Sequence, residues 1–242
     1  MRLFDWLFCR KPRLYAISDL HLASKVDKPM DVFGGEWPGY EKLIEKDWKR
    51  KVRKNDIVVV AGDLSWGMNM EEAQPDLDKI GKLGGNIVVC RGNHDYWWKS
   101  VSVVRRAVAK NVRVLQNDAC CVGNYVFCGC RGWKQKETNR EQSDEDKKIL
   151  AREFERMKLA LADAKKIILP GQKLVVVMHY PPTNSRLEDN EFTKLFEENG
   201  VDFVIFGHLH GKVRKAMQYQ KGKTKYFLTS CDLLKNKLLR IE

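Results

Sequence analysis

The stretch Cys90-Arg91-Gly92-Asn93-His94-Asp95 sets an amide oxygen, an imidazole and a carboxylate side by side, directly after the apolar run Asn86-Ile87-Val88-Val89. Oxygen donors of this kind ligate cations, and an imidazole either ligates or carries a proton. Four further stretches repeat the pattern of an apolar run followed by ligand-type residues. Leu14 to His21 ends in Asp19 and His21, and Asp56 to Leu64 carries Asp63. Leu174 to Met178 precedes His179, and Val201 to Phe206 leads through Gly207 to His208 and His210. The chain has 5 histidines, and every one falls in this set rather than in a helix or a long loop.

Carboxylate, imidazole and amide oxygen, with no thiolate among them, suit borderline divalent metals such as Mn, Fe or Zn. Residues two apart on an extended strand point the same way, so Asp19 with His21, and His208 with His210, are each expected to present two ligands to one cluster. A carboxylate such as Asp63 can bridge two ions through its two oxygens. Two ions about 3.5–4 Å apart lower the pKa of a shared water and clamp the oxygens of an in-line displacement, which makes phosphate esters the natural substrate.

The ordered set D-x-H, G-D, G-N-H-D, H and G-H-x-H, from Asp19 to His210, resembles the calcineurin-like metallophosphoesterase superfamily. The stretch Lys28-Pro29-Met30-Asp31-Val32-Phe33-Gly34, with the aromatic run after Asp95, also resembles a group of small bacterial predicted phosphohydrolases. The resemblance implies a four-layer αββα sandwich with two mixed β-sheets, and hydrolysis of a mono- or diester by a metal-bridging hydroxide. It implies that Asp19, His21 and His210 hold one ion, that Asp63 is shared, and that Asn93, His179 and His208 complete the second. His94 is then not a ligand but faces the scissile phosphate, as general acid or charge partner. Asp95 either orients His94 or is a structural turn carboxylate. Protein phosphatases of the superfamily carry Gly-Asp-x-x-Asp-Arg-Gly, whereas Gly62-Asp63-Leu64-Ser65-Trp66-Gly67 stands here, which argues against a protein substrate.

The elements that must position these groups read as α/β. Strands are expected over 14–21, 56–64, 86–89, 174–178, 201–206 and 223–230, with a meander over 112–133. Helices are expected over 40–54, 71–83 with Pro75 at its start, 98–110, 145–167 and 192–199. The longest carries Ile149, Leu150, Phe154, Met157 and Leu161 as one apolar stripe. Residues 13–242 form one domain in this reading, and 1–12 an extension, either a short amphipathic helix or a frayed terminus.

At 242 residues and 43% hydrophobic content the chain can bury a full core. It lacks an apolar run near the ~18 residues of a membrane helix, and the apolar start lacks the form of a signal peptide. Its 7 cysteines are an odd number, and a cytoplasmic protein with reduced thiols is expected. Cys120, Cys121, Cys128 and Cys130 cluster, but a turn at Gly123-Asn124 pairs Cys121 with Val126. Alternation then puts Cys121, Cys128 and Cys130 on one face and Cys120 on the other, which disfavours a zinc site. The formal net charge of +12 favours an anionic partner: a phosphate ester, nucleotide-like or small, with nucleic acid and hence nuclease action as an alternative. A non-catalytic interaction module on the same fold would lack ligands, and none is missing. Between His210 and Cys231, Lys212, Arg214, Lys215, Lys221, Lys223 and Lys225 form either a solvated basic edge or a funnel for a polyanion. Trp66, Tyr96, Trp97, Trp98, Trp133 and Tyr180 follow the motif strands, and those outside the core could stack a base.

Overall fold

The computed structural model of the protein describes residues 11–242 apart from 212 and 214–216. The expectation for the first residues therefore lies, up to residue 10, outside the described part. Among the described residues eleven strands and five α-helices follow in chain order: β1 Leu14–Ile17, α1 Tyr40–Lys51, β2 Ile57–Val60, α2 Met70–Gly81, β3 Asn86–Cys90, α3 Val101–Ala107, β4 Val112–Leu115, β5 Asp118–Val122 and β6 Tyr125–Gly129. After these come α4 Asp144–Ile167, β7 Lys173–Val177, α5 Glu191–Glu198, β8 Phe203–Phe206, β9 Gln218–Lys221, β10 Thr224–Leu228 and β11 Leu239–Arg240.

The strands form a five-stranded sheet, ordered β11-β1-β2-β3-β4, and a six-stranded sheet, ordered β5-β6-β7-β8-β10-β9. Both are mixed. Strands β1 to β4 run parallel with β11 antiparallel at the edge, and β6, β7, β8 and β10 run parallel between antiparallel β5 and β9. Side chains alternate between faces, so β2 sends Ile57 and Val59 into the layer between the sheets and Val58 and Val60 outward. The outward layer packs on Ile44 and Trp48 of α1, Leu77 and Ile80 of α2, and Val104 of α3. On the far side, Met157 and Leu161 of α4 and Phe192 and Phe196 of α5 cover the six-stranded sheet. Helix, sheet, sheet, helix is the four-layer sandwich the resemblance implied.

Three local expectations change. The stretch 112–133 is not one meander: β4 pairs with β3, and the chain then crosses to the other sheet to make the β5–β6 hairpin. Buried apolar runs look alike whichever sheet they join. Helix α2 begins before Pro75, at Met70, because Asn69 accepts from the Glu72 N–H (3.1 Å) and so caps it. Pro75 omits only the bond to the exposed first turn at Glu71. The helix expected from Trp98 begins at Val101, since Trp97 and Trp98 are buried in the preceding turn, with Trp98 Nε1 donating to Gln116 Oε1 (2.7 Å). The hairpin register is the expected one, Cys121 opposite Val126 and Cys120 opposite Phe127, which splits the cysteines between faces.

Candidate metal centre

Every candidate residue lies just past the carboxyl end of a parallel strand: Asp19 and His21 after β1, Asp63 after β2, Asn93, His94 and Asp95 after β3, His179 after β7, and His208 and His210 after β8. The two sheets meet there. Ser18 N–H donates to the Thr229 carbonyl (2.8 Å), and Cys231 N–H donates to that of Ser18 (3.1 Å), tying β1 to the end of β10. The loops after β1 and β2 also run together, through Asp19 N–H to Gly62 O and His21 N–H to Asp63 O, both 3.0 Å.

The reason the paired residues converge is not the expected one. Asp19 (φ 58°), His21 (φ 44°), Asp63 (φ 52°) and His208 (φ 73°) all sit in the left-handed region, beyond the strands rather than on them. Tight backbone reversals, not alternation, turn these side chains inward. Close approach does the rest. A Cβ on Gly92 would lie 2.0 Å from Asp63 Oδ1, and one on Gly207 2.5 Å from Asp19 Oδ2, so only glycine lets these turns meet.

Ligand-type atoms of Asp19, His21 and His210 lie within 4.8 Å of one another, and so do those of Asp19, Asp63 and His179. Asp63 Oδ2 stands between the halves, 3.7 Å from His21 Nε2 and 3.3 Å from His179 Nε2. His210 Nε2 is 3.6 Å from Asp19 Oδ1. Asn93 Oδ1 lies 2.7 Å from His179 Nε2 and 2.8 Å from His208 Nδ1. Metal–ligand bonds of about 2.0–2.2 Å put neighbouring ligand atoms roughly 3–3.6 Å apart; the carboxylate–imidazole pairs, at 3.3–3.7 Å, lie close to that spacing, while the two Asn93 contacts are at hydrogen-bond distance. Charge agrees. Asp19 and Asp63 are buried, and among the described residues no Lys or Arg forms an ion pair with either. Burial opposes their charge, yet the surrounding imidazoles hold both carboxyls below their ordinary range. In return, burial opposes the imidazolium at His179 but Asp63 raises its pKa to about 9. At His210, hydrogen bonds to Asp19 and Asp232 outweigh burial and raise the pKa to about 10. The residues present fit cations.

Outer contacts fix which nitrogen each imidazole offers. His179 Nδ1 is 3.0 Å from the Ala61 carbonyl, so Nδ1–H donates and Nε2 is left for the centre. His210 Nδ1 is 2.9 Å from Asp232 Oδ1, whose other oxygen accepts from Gly211 N–H (3.2 Å). Sequence reasoning missed Asp232, although it is the first acidic residue after the acid-free run Gly211 to Cys231. It missed Ser18 too, whose hydroxyl donates to Asp19 Oδ2 at 2.6 Å. Trp66 stacks on His21 (centroids 4.7 Å, 21° between planes), and Tyr40 donates to the His21 carbonyl (2.9 Å).

His94 lies outside both ligand groups. Half-buried, with burial lowering its pKa, it packs on Trp66 (4.5 Å) and has Nδ1 3.3 Å from the Tyr96 hydroxyl. Asp95 is fully buried and accepts from Asp63 N–H (3.0 Å), Leu64 N–H (2.8 Å), Ser65 N–H (3.3 Å), Gly92 N–H (2.7 Å) and Trp97 Nε1–H (3.1 Å). Burial and nearby Asp63 push it up to about 6 against those donors. It bonds to the loops that carry Asp63 and Asn93, which is the turn-carboxylate alternative.

A family model for calcineurin-like phosphoesterases matches residues 12–212, which include every candidate ligand, His94 and Asp95. The chain belongs to that family. The family takes its name from phosphoester hydrolysis. An uncharacterised protein of Methanocaldococcus jannaschii is 31% identical over 93 residues, which cover 38% of this chain and 52% of that protein, so the match spans about half the length of the curated relative. Among solved structures, a phosphopantetheinyl hydrolase of Mycobacterium tuberculosis superposes with a TM-score of 0.57 at 15% identity, over 95% of both chains. A Thermus thermophilus protein gives 0.53 at 12%, over 95% of this chain and 97% of its own. These likenesses establish the shared fold.

The basic stretch divides between residues inside and outside the described part. Lys212, Arg214 and Lys215 lie outside the described residues. Lys225 pairs across to Phe203 at the start of β8, the opposite end of the sheet from His208, and Lys221 and Lys223 flank it there. The aromatic wall also shrinks: Trp97, Trp98 and Tyr180 are buried, and of the six only Tyr96 is well exposed. No helix among the described residues is long and apolar enough to cross a membrane.

Proposed function

We propose that the chain hydrolyses a phosphate ester at a centre of two divalent ions, of Mn, Fe or Zn. Asp19, His21 and His210 hold one ion, Asn93, His179 and His208 the other, and Asp63 lies between them. The observation that carries this reading is the pair of buried carboxylates, set 3.3–3.7 Å from imidazole nitrogens and, among the described residues, with no Lys or Arg paired to them. When bound, the ions polarise the phosphoryl oxygens and activate water. The protein's share is geometric and protonic. Asp95 and the glycine turns fix the carboxylate loops, while Ala61 and Asp232 set the imidazole tautomers. His94, beside the ligands and with one nitrogen toward Tyr96, gives a proton to the departing oxygen or stabilises charge on the phosphoryl group. Residues 13–242 act as one domain in this reading. The setting is cytoplasmic, where the free cysteines stay reduced.

Protein purified without chelator and reloaded with Mn should approach two equivalents of metal and turn over 4-nitrophenyl phosphate or its bis-ester. Saturation at one equivalent would remove the paired centre. Absence of turnover with Mn, Fe and Zn would remove the catalytic reading.

A further inference from the structure

Beside the centre, on the His208 side, lies a cavity of about 1030 Å³ walled by the stretches 134–146 and 180–187, with Leu209 and Val213 also lining it. The walls are fastened to each other. Ser185 N–H donates to Glu137 Oε1 (3.0 Å), Asn184 Nδ2–H to the Lys136 carbonyl (3.2 Å) and Thr138 to Glu188 (3.0 Å). Asn190 Nδ2–H donates to Gln135 Oε1 (3.2 Å) beneath them. The space therefore belongs to a cross-braced pair of loops. It stands at the upper end of the roughly 300–1,000 Å³ range of small-molecule sites, far beyond what a phosphoryl group fills.

Its lining is mixed in a particular way. Among the described residues Lys134, Lys136 and Arg140 are matched by Glu137, Glu141 and Asp146. Gln135, Gln142 and Asn184 bring neutral amides. Tyr180, Pro181, Leu209 and Val213 bring apolar surface. A stacking platform for a base is missing from this wall, since Tyr180 is only 3% exposed, packed against His208 (4.2 Å) and Trp133 (5.0 Å).

We infer that this cavity receives the alcohol half of the ester, and that this half is an extended chain carrying amide or hydroxyl groups between apolar segments. The inference rests on the hydrolase reading above and names its substrate class. In the step concerned, water oxygen bonds to phosphorus and the phosphorus–oxygen bond to the chain breaks. The chain leaves as an alcohol, taking up a proton.

The test compares arms on one kind of leaving oxygen. Ethyl phosphate, octyl phosphate, adenosine 5′-monophosphate and 2-acylamidoethyl phosphates of growing acyl length are offered to the Mn-loaded full chain. Each is offered as the monoester and as the methyl diester. The acylamidoethyl series should exceed ethyl phosphate in kcat/KM by tenfold or more, and should also exceed octyl phosphate and the nucleotide. Val213→Trp and, separately, Gln142→Trp should erase the gain yet leave ethyl phosphate turnover unchanged, which also shows that each variant is folded. Equal kcat/KM across arms, preference for the nucleotide, or a gain that survives both tryptophans would overturn the inference. Because 4-nitrophenyl phosphate needs no arm, its turnover by the wild type reports on the hydrolase reading separately.

Discussion

Of the proposed ligands, the five-stranded sheet supplies both carboxylates, Asp19 and Asp63, whereas the six-stranded sheet supplies imidazoles alone, and the two halves are secured differently. On the first, Asp95 collects five N–H donors from the loops around Asp63 and Gly92, and the loops after β1 and β2 share backbone bonds. Those side chains have little freedom. On the second, each anchored imidazole hangs on its own outer nitrogen, His179 on Ala61 and His210 on Asp232. The cavity opens on that side as well. The contrast teaches a division of labour: charge is fixed where the backbone is most over-determined, and open space lies where loops are braced by side chains.

The largest expected effect comes from removing charge on the rigid side. Asp63→Asn should hold at most one metal equivalent and lose phosphatase activity to background. Two equivalents retained in metal analysis would show that Asp63 is not shared between the ions. Next comes the line between ligand and proton donor. His94→Ala should keep both metals while kcat/KM falls by roughly 10²–10⁴, the range for a lost proton-transfer group, and His179→Ala should lose metal. The opposite pattern would exchange the two roles.

A smaller change tests the imidazole half. Asp232→Asn should weaken metal affinity by about 10–100-fold, as outer-shell changes do, measured by competition with a chelator. An unchanged affinity would show that His210 needs no orienting partner. The smallest effect is on stability. Asp95→Asn leaves at least one buried donor unsatisfied, at roughly 1–3 kcal/mol. At about 2–4 °C per kcal/mol for a chain of this size, Tm should fall by about 2–12 °C. Full stability with a collapsed kcat would instead mean that Asp95 acts through His94.

Most of the fold was legible because each buried parallel strand is a short apolar run ended by glycine or a polar residue, with helical periodicity between. Sheet membership was not, since β4 and β5 are three residues apart yet lie in different sheets. The edge strands β9 and β11 also escaped notice: Gln218–Lys221 is largely polar, and Leu239–Arg240 is two residues long. The candidate ligands could be read from residue type and order, but the geometry that joins them could not. Alternation was invoked for Asp19 and His21, and left-handed turns do the work. Asp232 was invisible because its partner lies 22 positions away.

The left-handed backbone at Asp19, His21, Asp63 and His208 has an evolutionary consequence. A non-glycine residue held there gives up on the order of 1 kcal/mol that glycine would not. Selection for a sturdier chain and selection for turnover therefore pull in opposite directions at the same four positions. A lineage released from its catalytic duty should drift toward glycine or asparagine there first, while Gly92 and Gly207, which the chain's own close approaches require, persist. In such descendants the architecture would outlast the chemistry.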